Sequence, residues 1–461
     1  MKIPFIYKPI YIRNYYHYTI LLNPYSYKGL LVIDKRIFSS IKQVVNGRRN
    51  VEKCLKLLKN KLPNLNSQEL SHIFKSLLDY DIINYESSDN ILKRKTDREN
   101  QILFWIDLTN QCNFRCSYCY VDKKKEQVNI SRFSKFLDIL QTLIRKYNLS
   151  KVEFILAGGE PLLYPKQLFG VIKKIKSFSQ TSRTKTGIQL ITNASLLTED
   201  RANFLKKNKI RLGVSLDGLE AYHNLTRRFT DGTGTYKYVE RGLKIAQKAG
   251  ILANVIVTVS NKNISNLPAL AFYLLKNKIR MRFQFFKKTN DLCNEDVVIP
   301  TQQVIKYYKK ALCAIYKYYQ DNNNLDTPLK DNSLLDRVTY PCNPSVYNCT
   351  SGINYFSLSP SGYIRACPSS GKEIPIFETD DFIRDLRAAD KEFIRNNVEN
   401  IPECKECLWK YICQGGCKME RLYLYKQLNT KSVKCLFFKK IIPYIIQLEA
   451  KRIVAKKVNA L

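Results

Sequence analysis

The feature that most constrains this chain is the run Asn110 to Tyr120, NQCNFRCSYCY, in which Cys112, Cys116 and Cys119 form a C-x3-C-x2-C array. Three thiolates in so short a loop can hold three irons of a [4Fe–4S] cube and leave the fourth iron open. Cubane clusters are ordinarily closed by four cysteines, so a loop offering three reserves one coordination position for another ligand. A zinc knuckle is the competing reading, but zinc sites prefer paired C-x2-C hooks and four ligands.

A length of 461 residues allows two or three domains with their own cores. Fourteen cysteines would suggest disulfides in a small secreted protein. Here they cluster at metal-ligand spacings, and the opening residues MKIPFIY lack an apolar signal region, so a reducing cytoplasm is expected. No apolar run approaches the roughly 18 residues of a membrane span. The densest, Ile441 to Ile446, is interrupted by Pro443, and no membrane association is expected. The formal net charge of +36 would attract anionic partners such as nucleic acid, lipid or an acidic peptide. Dispersed lysines, together with abundant asparagine, isoleucine and tyrosine, are equally what an AT-rich coding sequence produces.

Residues 1–95 have the pattern of a separate small domain. Tyr18 to Leu22 and Gly29 to Ile33 are short β-rich runs forming a hairpin. Three helices are expected after them: Ile37 to Val45, a stretch from Val51 ending before Pro63, and one opened by the capping box Asn66-Ser-Gln-Glu69. Ile82 to Tyr85 returns as a strand, and the polar stretch Ser87 to Asn100 is expected to be a linker. From Leu103 onward strand-like runs alternate with helical stretches: Leu103 to Asp107, Val152 to Leu156, Gly187 to Ile191, Arg211 to Ser215, Ala253 to Val259 and Met281 to Phe285. Six such units predict an α/β fold with a partial (β/α)6 barrel over residues 96–320. In barrels of this kind the working residues sit where strands end. The cysteine loop follows the first strand, Gly158-Gly159-Glu160-Pro161 the second, Thr192-Asn193 the third, and Ser215-Leu216-Asp217 the fourth.

The cysteine array followed by GGEP at strand ends resembles the radical S-adenosylmethionine (SAM) enzymes. That resemblance implies a SAM-binding [4Fe–4S] cluster on Cys112, Cys116 and Cys119, whose open iron is chelated by SAM and whose reduction gives a 5′-deoxyadenosyl radical. It further implies that Tyr118 packs beside the adenine, and that Gly158, Gly159, Glu160 and Pro161 contact the methionyl amino group through backbone and carboxylate. Thr192, Asn193, Ser215 and Asp217 would meet SAM ribose or carboxylate, and Arg227 or Arg228 would reach the SAM carboxylate. Gln284 is a candidate for lining the substrate cavity, and His223 is read as structural.

Residues 321–461 carry Cys342, Cys349, Cys367, Cys404, Cys407, Cys413, Cys417 and Cys435, with Gly362 placed as in the seven-cysteine SPASM signature that these residues resemble. The resemblance implies two closed auxiliary [4Fe–4S] clusters, one on Cys342, Cys349, Cys367 and Cys417 and one on Cys404, Cys407, Cys413 and Cys435; spacing alone allows other pairings. Cys54, Cys293 and Cys313 lie outside these arrays and are expected to be buried small hydrophobes. The N-terminal pattern is similar to the winged-helix peptide-recognition domains fused to radical SAM peptide maturases, in which a leader peptide adds to the hairpin edge. With 17 Lys/Arg against 7 Asp/Glu, residues 1–95 suit an acidic leader. The implied activity is oxidative cross-linking of a ribosomally made precursor peptide, with a reductant such as flavodoxin or ferredoxin. The alternatives are sulfatase-maturase-like oxidation, against which Pro368 stands where those relatives carry an aspartate base, and peptide epimerisation; Asp217 and Glu160 stay open as bases. An RNA-modifying enzyme and an iron–sulfur DNA-binding regulator are the other classes, and no RNA-binding signature accompanies the charge.

Overall fold

The computed structural model describes residues 3–7, 9–85, 100–182, 184–293, 301–322, 344–347 and 349–458. The expected linker lies outside these apart from Asn100, and Cys342 lies outside them altogether.

The N-terminal region runs β1 (Phe5–Ile6), β2 (Tyr11–Tyr15), β3 (Tyr18–Leu22), β4 (Leu30–Asp34), α1 (Lys35–Val44), α2 (Val51–Lys61), α3 (Ser67–Asp79) and β5 (Ile83–Asn84). Each helix begins at a side chain that accepts from free backbone N–H groups: Asp34 for α1, Asn50 for α2, and the Asn66/Glu69 capping box for α3. The expected hairpin is part of a three-stranded antiparallel sheet ordered β2-β3-β4. Strand β2 escapes a pattern search because its centre, Ile12 to Asn14, is exposed and partly polar; backbone pairing to β3 holds it. The returning strand β5 pairs with β1 rather than with the hairpin.

Alternation along this sheet divides it between two cores. Leu21 faces Phe38, Ile41, Leu58, Phe74 and Leu77 of α1–α3. Ile20, Leu22, Leu30 and Val32 belong instead to the core shared with the rest of the chain. Tyr11 lies against Trp409 at 5.1 Å between ring centroids, Tyr25 against Tyr411 at 4.8 Å, and the Tyr27 hydroxyl donates to the Pro344 carbonyl. The N-terminal sheet is thus packed on the C-terminal region.

The middle of the chain supplies six parallel strands: β6 (Gln101–Asp107), β7 (Lys151–Ala157), β8 (Lys185–Thr192), β9 (Arg211–Ser215), β10 (Leu252–Val259) and β11 (Met281–Phe285). They are crossed by α4 (Ile130–Lys146), α5 (Pro165–Ser182), α6 (Glu199–Lys207), α7 (Glu220–Thr226), α8 (Tyr236–Lys248) and α9 (Leu267–Lys276), and followed by α10 (Thr301–Asp321). Ile102, Phe104 and Ile106 of β6, like Val152, Phe154 and Leu156 of β7, are buried. The intervening Leu103, Trp105, Glu153 and Ile155 are half-buried on the opposite, concave face. Among the described residues β11 does not pair back to β6. Strand β12 (Tyr355–Leu358) pairs with β6 in parallel, and β13 (Tyr363–Arg365) and β14 (Glu373–Pro375) continue outward, giving one nine-stranded sheet ordered β11-β10-β9-β8-β7-β6-β12-β13-β14. These added strands are too short for a periodicity search, yet they register the cysteine-rich region against the strand that feeds the cysteine loop. Phe104 of β6 packs on Phe136, Phe154, Phe356 and Phe382, so one ring joins both regions.

The C-terminal region adds α11 (Phe382–Ala389), α12 (Lys391–Arg395), α13 (Lys410–Cys413), α14 (Lys418–Tyr425) and α15 (Cys435–Val458). Helix α15 buries Phe437, Ile441, Ile442, Ile445 and Ile446 and packs on α10 and β4, a core role for the apolar run around Pro443. No helix among the described residues is long and apolar enough to cross a membrane.

Candidate active site

The cysteine loop leaves β6 and is pinned at both ends. Thr109 donates its hydroxyl to the Glu126 carbonyl at 2.7 Å, and the Asn110 amide donates to the Glu126 carboxylate at 2.8 Å. The Cys119 N–H closes a turn on the Cys116 carbonyl. Each sulfur receives a donor: the Phe114 N–H at Cys112 (3.4 Å), Arg227 at Cys116 (3.8 Å) and Lys123 at Cys119 (3.2 Å). Burial pushes the Cys112 thiol up to about 11 and the Cys116 thiol up to about 12. Left alone they would stay protonated at neutral pH, whereas metal coordination deprotonates a thiol outright. Three half-buried cysteines whose sulfurs meet N–H and cationic donors fit an anionic iron–sulfur cluster. Among the described residues no three His, Cys, Asp or Glu side chains converge on one point as for a single ion; a cubane spreads its ligands over separate irons.

The loop after β7 docks directly on the cysteine loop. Gly159 donates its N–H to the Thr109 carbonyl (2.6 Å) and Glu160 its own to the Gln111 carbonyl (2.9 Å). A Cβ on Gly159 would lie 1.9 Å from the Gln111 oxygen, and one on Gly158, whose φ is +114°, 2.4 Å from the Thr109 oxygen. The close approach that requires glycine is therefore made to the chain's own backbone.

Several residues expected to touch SAM are occupied otherwise. The Glu160 carboxylate, 1 % exposed, accepts from the Leu162 N–H, the Thr192 hydroxyl and the Asn193 N–H. It locks the β7 loop, in which Pro161 opens a 3-10 turn, to the end of β8, with Oε1 accepting twice and Oε2 once. Burial pushes its carboxyl up. Thr192 is spent on Glu160, and Asn193 on Asn113 and Ser195. Asp217 is likewise no ligand contact: its Oδ2 accepts from Tyr118, Thr226 and Arg227, and its Oδ1 from the Thr258 N–H. The Asp217 carboxylate is thus fully engaged as a support, and Glu160 is engaged on both oxygens with one acceptor position left on Oε2. Arg227 is buried, paired with Asp217 at 2.9 Å and set over the Tyr118 ring, whereas Arg228 is exposed and donates to the Asn224 carbonyl. The structure brings Arg227 to the cysteine loop and leaves Arg228 outside it. Ser215, at the end of β9, makes no side-chain hydrogen bond among the described residues. His223 accepts from the Asp217 N–H and donates to Thr235, and burial pulls it down to about 3, so it is neutral. Gln284 is half-buried on β11, beside Thr258 of β10.

Sequence reasoning missed Asp107. It ends β6, and Trp105 donates to its Oδ1 at 2.9 Å, the one hydrogen bond its carboxylate makes among the described residues. Burial pushes its carboxyl up to about 6 against the pull of Trp105 and Arg365. Reading it as part of the apolar strand hid it; its place on the concave face, two residues beyond Trp105, was the available signal.

In the C-terminal region burial pushes the Cys404 and Cys413 thiols up, and Cys407 and Cys435 stand close enough to add to the push on both. Cys417 stands near Cys349, and both, with Cys367, surround Lys418. Tyr120, one residue beyond Cys119, feels both Cys119 and Cys367. Cys54 and Cys293 are buried, the latter against Phe286 and Tyr118. Cys313 is exposed on α10, near Tyr316 and Tyr444, correcting the expectation that it is buried.

Residues 106–274 match the family model of the Radical SAM superfamily. The cysteine-type anaerobic sulfatase-maturating enzyme of Clostridium perfringens is 23% identical over 325 residues, 67% of this chain and 86% of that one. Among solved structures, anSMEcpe with bound AdoMet shares the fold at a TM-score of 0.62 and 22% identity, over 78% of this chain and 97% of that one. SuiB of Streptococcus suis bound to the precursor peptide SuiA has a TM-score of 0.52 at 15% identity, over 94% of this chain and 99% of that one.

Two outcomes are expected. Gly159→Ala must push the two loops apart, so anaerobically reconstituted protein should lose at least about half of the iron that Cys112→Ala removes; unchanged iron content would contradict the docking. Asp107 binds its proton more tightly folded than unfolded, so its contribution to stability is full below about pH 4 and is lost as pH rises through about 6, by about 3 kcal/mol in all. Asp107→Asn should remove that slope from the urea midpoint measured between pH 5 and 7; parallel profiles would contradict it.

Proposed function

This chain is a radical SAM enzyme, and from that premise we propose that it matures a ribosomally made precursor peptide by oxidative cross-linking, with residues 1–95 as leader-recognition domain, 96–320 as catalytic barrel and 321–461 as SPASM domain. The observation that carries the reading is the sheet junction between β12 and β6, which ties the cysteine-rich region to the strand that feeds the three-cysteine loop. Cys112, Cys116 and Cys119 would hold the SAM-binding [4Fe–4S] cluster. Cys349, Cys367 and Cys417 with Cys342, and Cys404, Cys407, Cys413 and Cys435, would hold two auxiliary ones. When bound and reduced by a flavodoxin or ferredoxin in the cytoplasm, SAM supplies a radical able to remove a carbon-bound hydrogen. The residues do the rest. The backbone of Gly158 to Pro161 and the Ser215 hydroxyl would meet SAM, Arg227 stands over Tyr118 at the loop, and Asp107, with one carboxylate oxygen unengaged, would take the proton released as a new bond closes.

The leader adds to a free edge of the β2-β3-β4 sheet, whose basic surroundings suit an acidic sequence. The SuiB–SuiA likeness, which spans nearly the whole chain, supports a fold compatible with a peptide partner. Oxidation of a single residue in the manner of the sulfatase-maturating relative is the second reading, favoured by the 86% of that relative that aligns; Pro368, standing where an aspartate would be needed, weighs against it.

Anaerobic co-expression with the short peptide encoded beside the gene, followed by intact mass and fragmentation, tests the proposal. Loss of two hydrogens per event with fragment ions missing between the joined residues is expected, and Cys112→Ala should abolish it. An uninterrupted fragment series with one altered residue would favour the second reading; an unchanged mass would contradict both.

A further inference from the structure

Helix α14 starts immediately after Cys417 and carries two cations on one face, Lys418 and Arg421, one turn apart. Both are almost fully buried, at 3 % and 2 % exposure. Burying a charge is unfavourable unless it is paired, and neither makes an ion pair with a carboxylate among the described residues. The Lys418 ammonium donates to the carbonyls of Phe393 (2.8 Å) and Ile394 (3.4 Å) and sits 4.6 Å over the Phe393 ring. The Arg421 guanidinium donates to the Gly415 carbonyl (3.1 Å), the Thr430 carbonyl (3.3 Å) and the Asn396 amide oxygen (2.8 Å), while its Nε is buried with no partner. By contrast, the neighbouring Glu420 carboxylate is neutralised by Lys434. Carbonyl dipoles position a cation but leave its charge uncompensated.

The surroundings say what compensates it. Lys418 follows Cys417 directly, and its ammonium sits on Phe393 and Ile394, which pack in one cluster with Cys367 and Cys417, within electrostatic reach of Cys349 as well. Arg421 donates its backbone N–H to the Cys417 carbonyl (3.2 Å) and its guanidinium to the carbonyl of Gly415, which lies between Cys413 and Cys417, within reach of Cys404 of the other group. As neutral thiols these sulfurs could not offset the two charges; as cluster-bound thiolates, four to a cube, they would.

We propose that Lys418 and Arg421 are built-in counter-cations for the auxiliary clusters, Lys418 acting on the cluster of Cys349, Cys367 and Cys417, and Arg421 standing between both clusters and setting their potentials together. This rests on the two-cluster reading given above. Because reduction adds negative charge to a cluster, a nearby fixed cation favours the reduced form and raises the potential. Arg421 would therefore raise both auxiliary potentials together, and Lys418 would bias one of them upward.

The test is a redox titration of anaerobically reconstituted full-length protein, in the Cys112→Ala background, with the two auxiliary signals followed by electron paramagnetic resonance. Arg421→Met should lower both midpoints, each by about a tenfold change in the reduction equilibrium, or about 59 mV for a one-electron couple, and Arg421→Lys should restore most of the shift. Lys418→Met should lower one midpoint by a similar factor and leave the other in place. If Arg421→Met fails to load iron at the auxiliary sites while Arg421→Lys loads it, the positive charge is needed for assembly, which supports the same role. Unshifted midpoints, or iron loss in both Arg421 variants alike, would overturn it and leave these side chains as packing donors. Absence of two auxiliary signals in the parent protein is a separate result: it would remove the two-cluster reading, and this inference with it.

Discussion

The geometry of the site rests on one buried carboxylate. Asp217 accepts from Tyr118, Thr226, Arg227 and the Thr258 backbone, and its own carbonyl accepts from Asn263 at 2.8 Å. It thereby ties the end of β9 to the cysteine loop, to the turn after α7 and to β10. Arg227 reaches Cys116 because Asp217 holds it there. Removing one partner of such a buried pair leaves an uncompensated charge and generally costs about 3–5 kcal/mol. Glu160 repeats the device one strand over, joining the β7 loop to the end of β8. Two acidic clamps, both held by hydrogen bonds from the protein itself, tie the strand ends to the cysteine loop and to one another.

A division of labour follows. Side chains that look like ligand contacts are largely spent on the scaffold, whereas the buried Ser215 hydroxyl makes no side-chain hydrogen bond among the described residues. Preorganisation of this kind suits a reactive radical, because the surrounding groups are already fixed and little reorganises during the reaction. The cysteine-rich region is fixed to the same frame through the β6–β12 ladder and the aromatic cluster around Phe104. The N-terminal sheet is fixed to it through Ile20, Leu22, Leu30 and Val32.

Much of this was legible in the sequence where local chemistry decides the structure. The strand runs from Leu103 to Phe285 alternate or are apolar throughout, and each forms within two residues of its expected bounds. Asn66 and Glu69 cap α3 as their spacing predicts. What sequence could not carry was tertiary satisfaction. Whether Glu160 and Asp217 point at a ligand or at their own neighbours depends in part on residues distant in sequence, 32 positions away for Thr192 and 99 for Tyr118. Arg227 and Arg228 are adjacent and chemically alike, and only the turn after α7 separates buried from exposed. Strands β12 to β14 have three or four residues each and are stabilised by the neighbour they join. Asp107 was hidden because a carboxylate at the end of an apolar strand reads as a boundary.

The measurement that bears most directly on the central claim is hydrogen transfer from peptide to SAM. Precursor peptide carrying deuterium on carbon would be turned over by the reduced, cluster-loaded enzyme, and the released 5′-deoxyadenosine weighed by mass spectrometry. The account predicts one peptide-derived deuterium in the nucleoside for each modification event. Modified peptide accompanied by unlabelled 5′-deoxyadenosine, across substrates labelled at every core position, would contradict it.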